Sequence, residues 1–169
     1  SAALIPVFSG VVLQPKDERE ASDFVENTTS MLLFATVVLT IIFFFGMPYI
    51  IQVLAPGFTD NKEAYELAVH FGKIIFPYII FISLAAHFTS INNVHERFAA
   101  GAFAPAILNI SFILSLFFLT PFVTTAGHAL SYGVLIGGVL QFLYLYRAVL
   151  NFYRPRIRIP VLNEKLKKF

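Results

Sequence analysis

His95 and Glu96 stand side by side in the order in which a zinc-protease helix presents its first metal ligand and its general base. That chemistry needs a second imidazole at i+4, so that two ring nitrogens converge on one ion. Here the run reads His95-Glu96-Arg97-Phe98-Ala99, and alanine stands where the second ligand belongs. His87, two helical turns upstream, is a lone imidazole, so no metal site is expected. The chain has no GxxxxGK[ST] loop to cradle a nucleotide, no GxSxG elbow and no Cys to act as thiolate or ligand. With no clustered acid, base or nucleophile, an enzyme is not expected, nor is any cofactor. A formal charge of +2 is too small to point to nucleic acid as a partner.

The other polar residues of interest lie in or beside long apolar runs. Inside a membrane each of them needs a partner, a water-lined cavity or a function. Asn92 and Asn93 precede His95, Glu96 and Arg97. They fit helix-end capping and interfacial solvation, or contact with lipid head groups or a substrate. Gly101, Pro105 and Asn109 recur at i, i+4 and i+8, and Pro105 frees the carbonyl of Gly101. That stripe reads as a cavity lining or as a packing seam. Gly133, Gly137 and Gln141 repeat in the same way, with Gly138 beside them. Small residues at this spacing let membrane helices approach closely, and Gln141 then serves as an inter-helix hydrogen-bonding group.

The elements that carry these residues follow from charge and hydropathy. The chain is 57% hydrophobic and 13% charged, with 20 Phe and no Trp, against about 25% charged in soluble domains. Its mean hydropathy is +0.76. The expected class is therefore an all-α integral membrane bundle of antiparallel helices. Residues 1–14 read as the end of a truncated transmembrane helix, because the chain opens at Ser1 inside an apolar stretch without a start methionine. The whole reads as an internal piece of a longer protein. Residues 15–26 carry seven charges of mixed sign between Lys16 and Glu26 and read as a solvated loop, the alternative being a segment lying on the membrane surface.

The first complete span is 27–54, free of charge and long enough to cross about 30 Å of hydrocarbon. Ala55-Pro56-Gly57-Phe58 ends it. Residues 55–73 read as a loop and a helix start running into a span at 74–95, kinked near Pro77. A turn at 96–101 follows. The 49 residues between Arg97 and Arg147 contain no Lys, Arg, Asp or Glu, which makes two spans, 102–120 and 129–147, joined by a loop at 121–128. The tail at 148–169 is basic: Arg147 and the six Lys and Arg after it face one acid, Glu164. The positive-inside rule places it in the cytoplasm. Residues 15–26 and 96–101 then share that side, while 55–73 and 121–128 lie outside.

Particular strings narrow the reading further. Ala55-Pro56-Gly57-Phe58, Phe76-Pro77-Tyr78-Ile79, Arg97-Phe98, Ala102-Phe103-Ala104-Pro105 and Leu108-Asn109-Ile110 occur in this order, followed by Gly137-Gly138-Val139-Leu140-Gln141 and Pro155-Arg156. Together they resemble the MurJ (MviN) family of bacterial lipid II flippases. The resemblance covers essentially the whole chain. It implies part of the amino-terminal lobe of a fourteen-helix transporter of the multidrug, oligosaccharidyl-lipid and polysaccharide exporter superfamily. It further implies a multi-pass protein of the bacterial inner membrane, with membrane lipid and the undecaprenyl-pyrophosphate-linked disaccharide pentapeptide (lipid II) as partners. Transport would proceed by alternating access, serving cell-wall synthesis. It would be driven by an ion of unknown identity or by membrane potential, and not by ATP. The family's cavity arginines fall mainly on helices outside this chain. Matching strings carry over Asn92, Arg97, Pro105, Asn109 and Gln141 as candidates for a cytoplasmic gate or cavity wall; Gly133, Gly137 and Gly138 stand as helix-packing candidates on their spacing.

Two other readings stand beside this one. Another exporter of the same superfamily, for polysaccharide lipids or drugs, would share the helices and differ in its binding groups. A non-transporting scaffold would need only the four helices. Mid-span Pro77 and Pro105 favour a protein that moves, although kinks also occur in rigid bundles.

Overall fold

A computed structural model of the chain describes residues 18–58 and 60–153. The expectations for residues 1–14 and for the tail from Arg154 onward lie outside the described residues. Within them the chain forms five α-helices: α1 (Glu18–Leu54), α2 (Lys62–Ile75), α3 (Tyr78–Val94), α4 (Phe98–Leu119) and α5 (Ala126–Val149). Short 3-10 turns at Pro56–Phe58 and Thr120–Phe122 link α1 to α2 and α4 to α5.

Among the described residues four segments are long and apolar enough to cross a membrane: Ser22–Leu54, Lys62–Val94 (α2 and α3 together), Phe98–Phe122 and Ala126–Val149. The backbone explains why they are helices. In hydrocarbon every N–H and C=O must be satisfied within the segment, and the side-chain hydroxyls follow the same rule. Thr36 donates to the Leu32 carbonyl at 2.8 Å, Thr40 to Thr36 at 2.7 Å, Ser111 to Ile107 at 2.9 Å and Ser131 to Gly127 at 2.8 Å.

Caps and prolines set the boundaries. Asn61 accepts from the Ala64 N–H at 3.1 Å and starts α2, and Thr125 accepts from the His128 N–H at 3.4 Å and starts α5. Pro77 supplies no N–H and crowds the carbonyl of Lys73, so the helical run gives way at Phe76–Pro77 between α2 and α3. Pro77 keeps right-handed dihedrals (φ −56°, ψ −18°), and the chain is helical again from Tyr78. Pro48, by contrast, lies within α1 and the helix continues through it. The Tyr65 hydroxyl of α2 donates to the Pro48 carbonyl at 2.9 Å and ties the two helices there.

One boundary corrects the sequence reading. Residues 15–26 were expected to be a solvated loop, but from Glu18 onward they are the first turns of α1. Phe24, Val25 and Glu26 are buried. Phe24 and Val25 belong to the main core, whereas Asp23 beside them is exposed. A helix of 33 residues from Ser22 to Leu54 is about 50 Å long at about 1.5 Å per residue, well over a hydrocarbon thickness, so its charged turns can leave the bilayer without ending the helix. Helices α4 and α5 likewise begin before 102 and 129.

α5 is the central helix. It packs antiparallel against α4 and also touches α3 and α2, while α1 packs on α3 and α2. The core gathers at one end of the bundle, where Phe24 and Val25 of α1 meet Ala85, Phe88, Ile91 and Val94 of α3, Ala104 of α4, and Leu145 and Val149 of α5. Phe88 sits 5.8 Å from Phe142 and 5.7 Å from Tyr146, centroid to centroid. Outward faces of α1 and α4 carry exposed Phe34, Phe45, Phe103, Phe117 and Phe118. Large rings in such number suit hydrocarbon and would be an aggregation hazard in water.

A polar-floored cleft between three helices

The α3–α4 hairpin is splayed over α5. The short connection is a helix-terminating motif in which the Glu96 N–H donates to the Asn93 carbonyl at 3.0 Å and the Arg97 N–H to the Asn92 carbonyl at 2.9 Å. Glu96 takes φ 59° there, in the left-handed region where glycine is usual. The turn brings Gly101 against Thr89, so closely that a Cβ on Gly101 would collide with the Thr89 methyl. One turn further on, Pro105 withholds an N–H from the Gly101 carbonyl.

Between the diverging helices lies a cleft of about 280 Å³. Ala86, Thr89 and Asn93 of α3 form one wall, Gly101 and Pro105 of α4 the other, and Gln141 of α5 lies among the lining residues. Gln141 is only 3% exposed, and its amide donates to the Ala104 carbonyl at 2.7 Å. Its Oε1 has no hydrogen-bond partner among the described residues. Among the described residues, none that lines the cleft is Lys, Arg, Asp or Glu.

The structure separates the sequence-based candidates. Gly101, Pro105 and Gln141 meet at the cleft. Asn109 does not; it is exposed on α4. Each i+4 step advances about 40° around a helix, so i+8 has rotated about 80° away from Gly101. Asn92 is fully buried, with its amide donating to the Phe88 carbonyl at 2.9 Å. It is Asn93, one residue on, that reaches the cleft. Thr89 and Ala86 had no role in the sequence reading, although Ala86, Thr89 and Asn93 follow helical spacing and lie on one face with Ile82.

Arg97 is exposed at the turn, its guanidinium 4.9 Å from the centre of the Phe152 ring. His95 stacks on the same ring at 3.9 Å and its Nδ1 lies 3.0 Å from the Ile91 carbonyl. These contacts tie the α3–α4 turn to the end of α5, one helical turn beyond Gly101. The three candidate packing glycines of α5 divide between two neighbours. Gly133 and Gly137 face Ser115, Leu108 and Ser111 of α4, whereas Gly138 faces Tyr78 and Phe81 of α3.

The description "Lipid II flippase MurJ" belongs to the family whose model matches residues 1–169. The chain is a member of the MurJ family. Relatives agree. It is 33% identical over 143 residues to the lipid II flippase MurJ of Burkholderia cenocepacia, covering 85% of this chain and 28% of that protein. It is 34% identical over 154 residues to the probable lipid II flippase MurJ of Rhizobium tropici, with 88% and 28% covered. A third, the probable lipid II flippase MurJ of Buchnera aphidicola subsp. Schizaphis graminum, is 36% identical over 134 residues, with 78% and 26% covered. This MurJ-family chain thus spans between a quarter and a third of the length of these curated relatives. Family membership and four membrane-crossing segments together make it part of a multi-pass membrane protein.

Proposed function

We propose that this chain forms a wall of the translocation pathway of a lipid II flippase in the bacterial inner membrane. It would belong to the amino-terminal lobe and act by alternating access, without nucleotide hydrolysis or other catalysis. The observation that carries the reading is the family match along all 169 residues. The cleft supports the role of wall over that of anchor. A pyrophosphate needs several cationic donors, and no Lys or Arg is among the described residues that line the cleft. Gly101, Pro105 and Gln141 are then pathway-wall residues and Arg97 a residue at the pathway mouth. Asn92 acts by holding the helix end, and Asn109 faces the membrane or another part of the protein. The coupling ion or potential acts elsewhere.

Orientation gives the first test. Basic residues concentrate beyond Tyr146, which places the α3–α4 turn and the end of α5 in the cytoplasm and the start of α2 outside. Asn61 and Asn151 are both exposed, and the chain is free of Cys, so single Asn61→Cys and Asn151→Cys variants report cleanly. In intact spheroplasts an impermeant maleimide should label the first and spare the second. The reverse pattern would invert the topology.

The second test is functional. The gene that encodes this chain should restore growth to a bacterium depleted of its lipid II flippase. Arg97→Ala should reduce that rescue only partly, because an exposed charge near lipid head groups steers an anionic substrate without being its sole anchor. Absence of any rescue by the unaltered gene, with the protein present in the membrane, would favour another exporter of the superfamily.

A further inference from the structure

We infer that His70 and His128 form a two-histidine site for a zinc-class divalent cation, bridging α2 to α5 at the end of the bundle opposite the main core. The inference goes beyond the flippase reading and does not depend on it.

Unlike His87 and His95, the two residues lie far apart in the sequence, and the packing of α2 on α5 brings their rings together. Their ring centres stand 5.2 Å apart, with the planes tilted by 53°. A tetrahedral ion with metal–nitrogen bonds of about 2.0–2.1 Å holds two imidazoles with their centres about 5 Å apart. The bundle's own packing sets that spacing. His128 is also held on two sides: the Thr125 Oγ1 lies 2.9 Å from its Nδ1, and the Phe71 ring meets it in a T-shaped contact at 4.9 Å. A partner at Nδ1 leaves Nε2 as the nitrogen for a metal and fixes how the ring is turned. Phe71 reaches this place because Gly127 has no side chain, where a Cβ would lie 2.7 Å from the Phe71 Cζ. His70 is exposed and His128 half-buried, so water and ions have access. Among the described residues no group of three or more His, Cys, Asp or Glu could share an ion, so water would complete the coordination. Imidazole ligands select Zn²⁺, Ni²⁺ or Cu²⁺ over Mg²⁺ and Ca²⁺. A cation beside the first turn of α5 meets the positive end of that helix, and Glu66, one turn before His70 on the same face of α2, opposes that field. No residue of α2 is fully buried. An ion joining α2 to α5 therefore adds a link where apolar packing is thin.

The test uses the whole protein in detergent, with any affinity tag removed. For a dissociation constant of about 10 μM, about 1 mM ZnCl₂ should shift the folding equilibrium about a hundredfold toward the folded protein and raise its thermal midpoint. MgCl₂ at the same concentration should not. His70→Gln and His128→Gln should each lose the Zn²⁺ gain, while His95→Gln should keep it. Pulsed electron paramagnetic resonance of bound Cu²⁺ should count two imidazoles in the unaltered protein and one in His70→Gln. If His128→Gln folds poorly for want of its contacts with Thr125 and Phe71, the exposed His70 decides the matter alone. No gain with Zn²⁺, an equal gain with Mg²⁺, or the same gain in His70→Gln would each overturn the site and leave an ordinary ring contact between the helices. Growth rescue, which tests the flippase reading, is independent of all these outcomes.

Discussion

Gly133→Leu should remove most of the folded protein recovered in detergent, and Gly133→Ala should already lower its thermal midpoint. A Cβ at Gly133 would lie 2.7 Å from the Ser115 Oγ and 2.8 Å from the Ser115 Cβ, with the Ser111 carbonyl at 3.4 Å. A Cβ is fixed to its backbone, so relief requires α4 and α5 to move apart. Overpacking of this kind costs about 1–3 kcal/mol. It outweighs the roughly 1 kcal/mol that Gly→Ala normally gains in a helix. Lipid offers no compensating hydrophobic drive to keep separated helices together, since close packing is itself what joins them. Gly137→Ala should be milder. There the nearest atom, at 2.7 Å, is the Leu108 Cδ1, the end of a flexible side chain that can turn aside. Fluorescence-detected size exclusion over a temperature series checks the order: Gly133→Ala below Gly137→Ala, and Leu143→Trp, at an exposed position, close to the unaltered protein. Equal losses at Gly133 and Leu143 would remove the packing argument.

Phe88→Ala should be the most damaging truncation in the half of the bundle where the core gathers. Phe88 is 1% exposed and joins α3 to α5 through Phe142 and Tyr146. In water such a change costs about 3–5 kcal/mol, part of it the transfer of the ring out of solvent. In a bilayer the separated helices would leave that ring in lipid, so much of the transfer contribution disappears. What remains is the cavity: about 100 Å³ of lost volume at about 24 cal/mol per Å³, or about 2 kcal/mol. Phe117→Ala, at a ring 77% exposed, should change stability by little. Reversible unfolding in mixed detergent micelles measures both, and a comparable cost at Phe117 would mean that the exposed face of α4 is covered in the folded protein.

The four membrane-crossing segments were legible from the sequence because one physical constraint produces them. A run without charge that is long enough to cross hydrocarbon has to satisfy its backbone internally, and helix is how a single segment does so. The break in the helical run at Phe76–Pro77 was legible for a related reason: a missing N–H is a property of one residue, whatever surrounds it. The family resemblance was likewise carried by local strings such as Ala102-Phe103-Ala104-Pro105, and the match over residues 1–169 bears it out.

What the sequence could not decide was which side of each helix meets which neighbour. Consecutive residues on a helix lie about 100° apart, so Asn92 and Asn93 are equivalent in composition yet end up in the core and on the cleft. The same rotation sends Gly137 toward α4 and Gly138 toward α3. It also carries Asn109 off the stripe that Gly101 and Pro105 begin. Residues 18–26 looked like a loop because their charges dominate the count, and only the packing of Phe24 and Val25 against α3 and α5 makes that stretch the start of α1. Gln141 could be read as an inter-helix hydrogen-bonding residue, but that its amide finds the Ala104 carbonyl while its oxygen is buried without a partner among the described residues depends on how α5 packs against α4. Segment identity follows from the solvent each segment must satisfy alone; the site follows from rotation and separation between segments, which only their packing together determines.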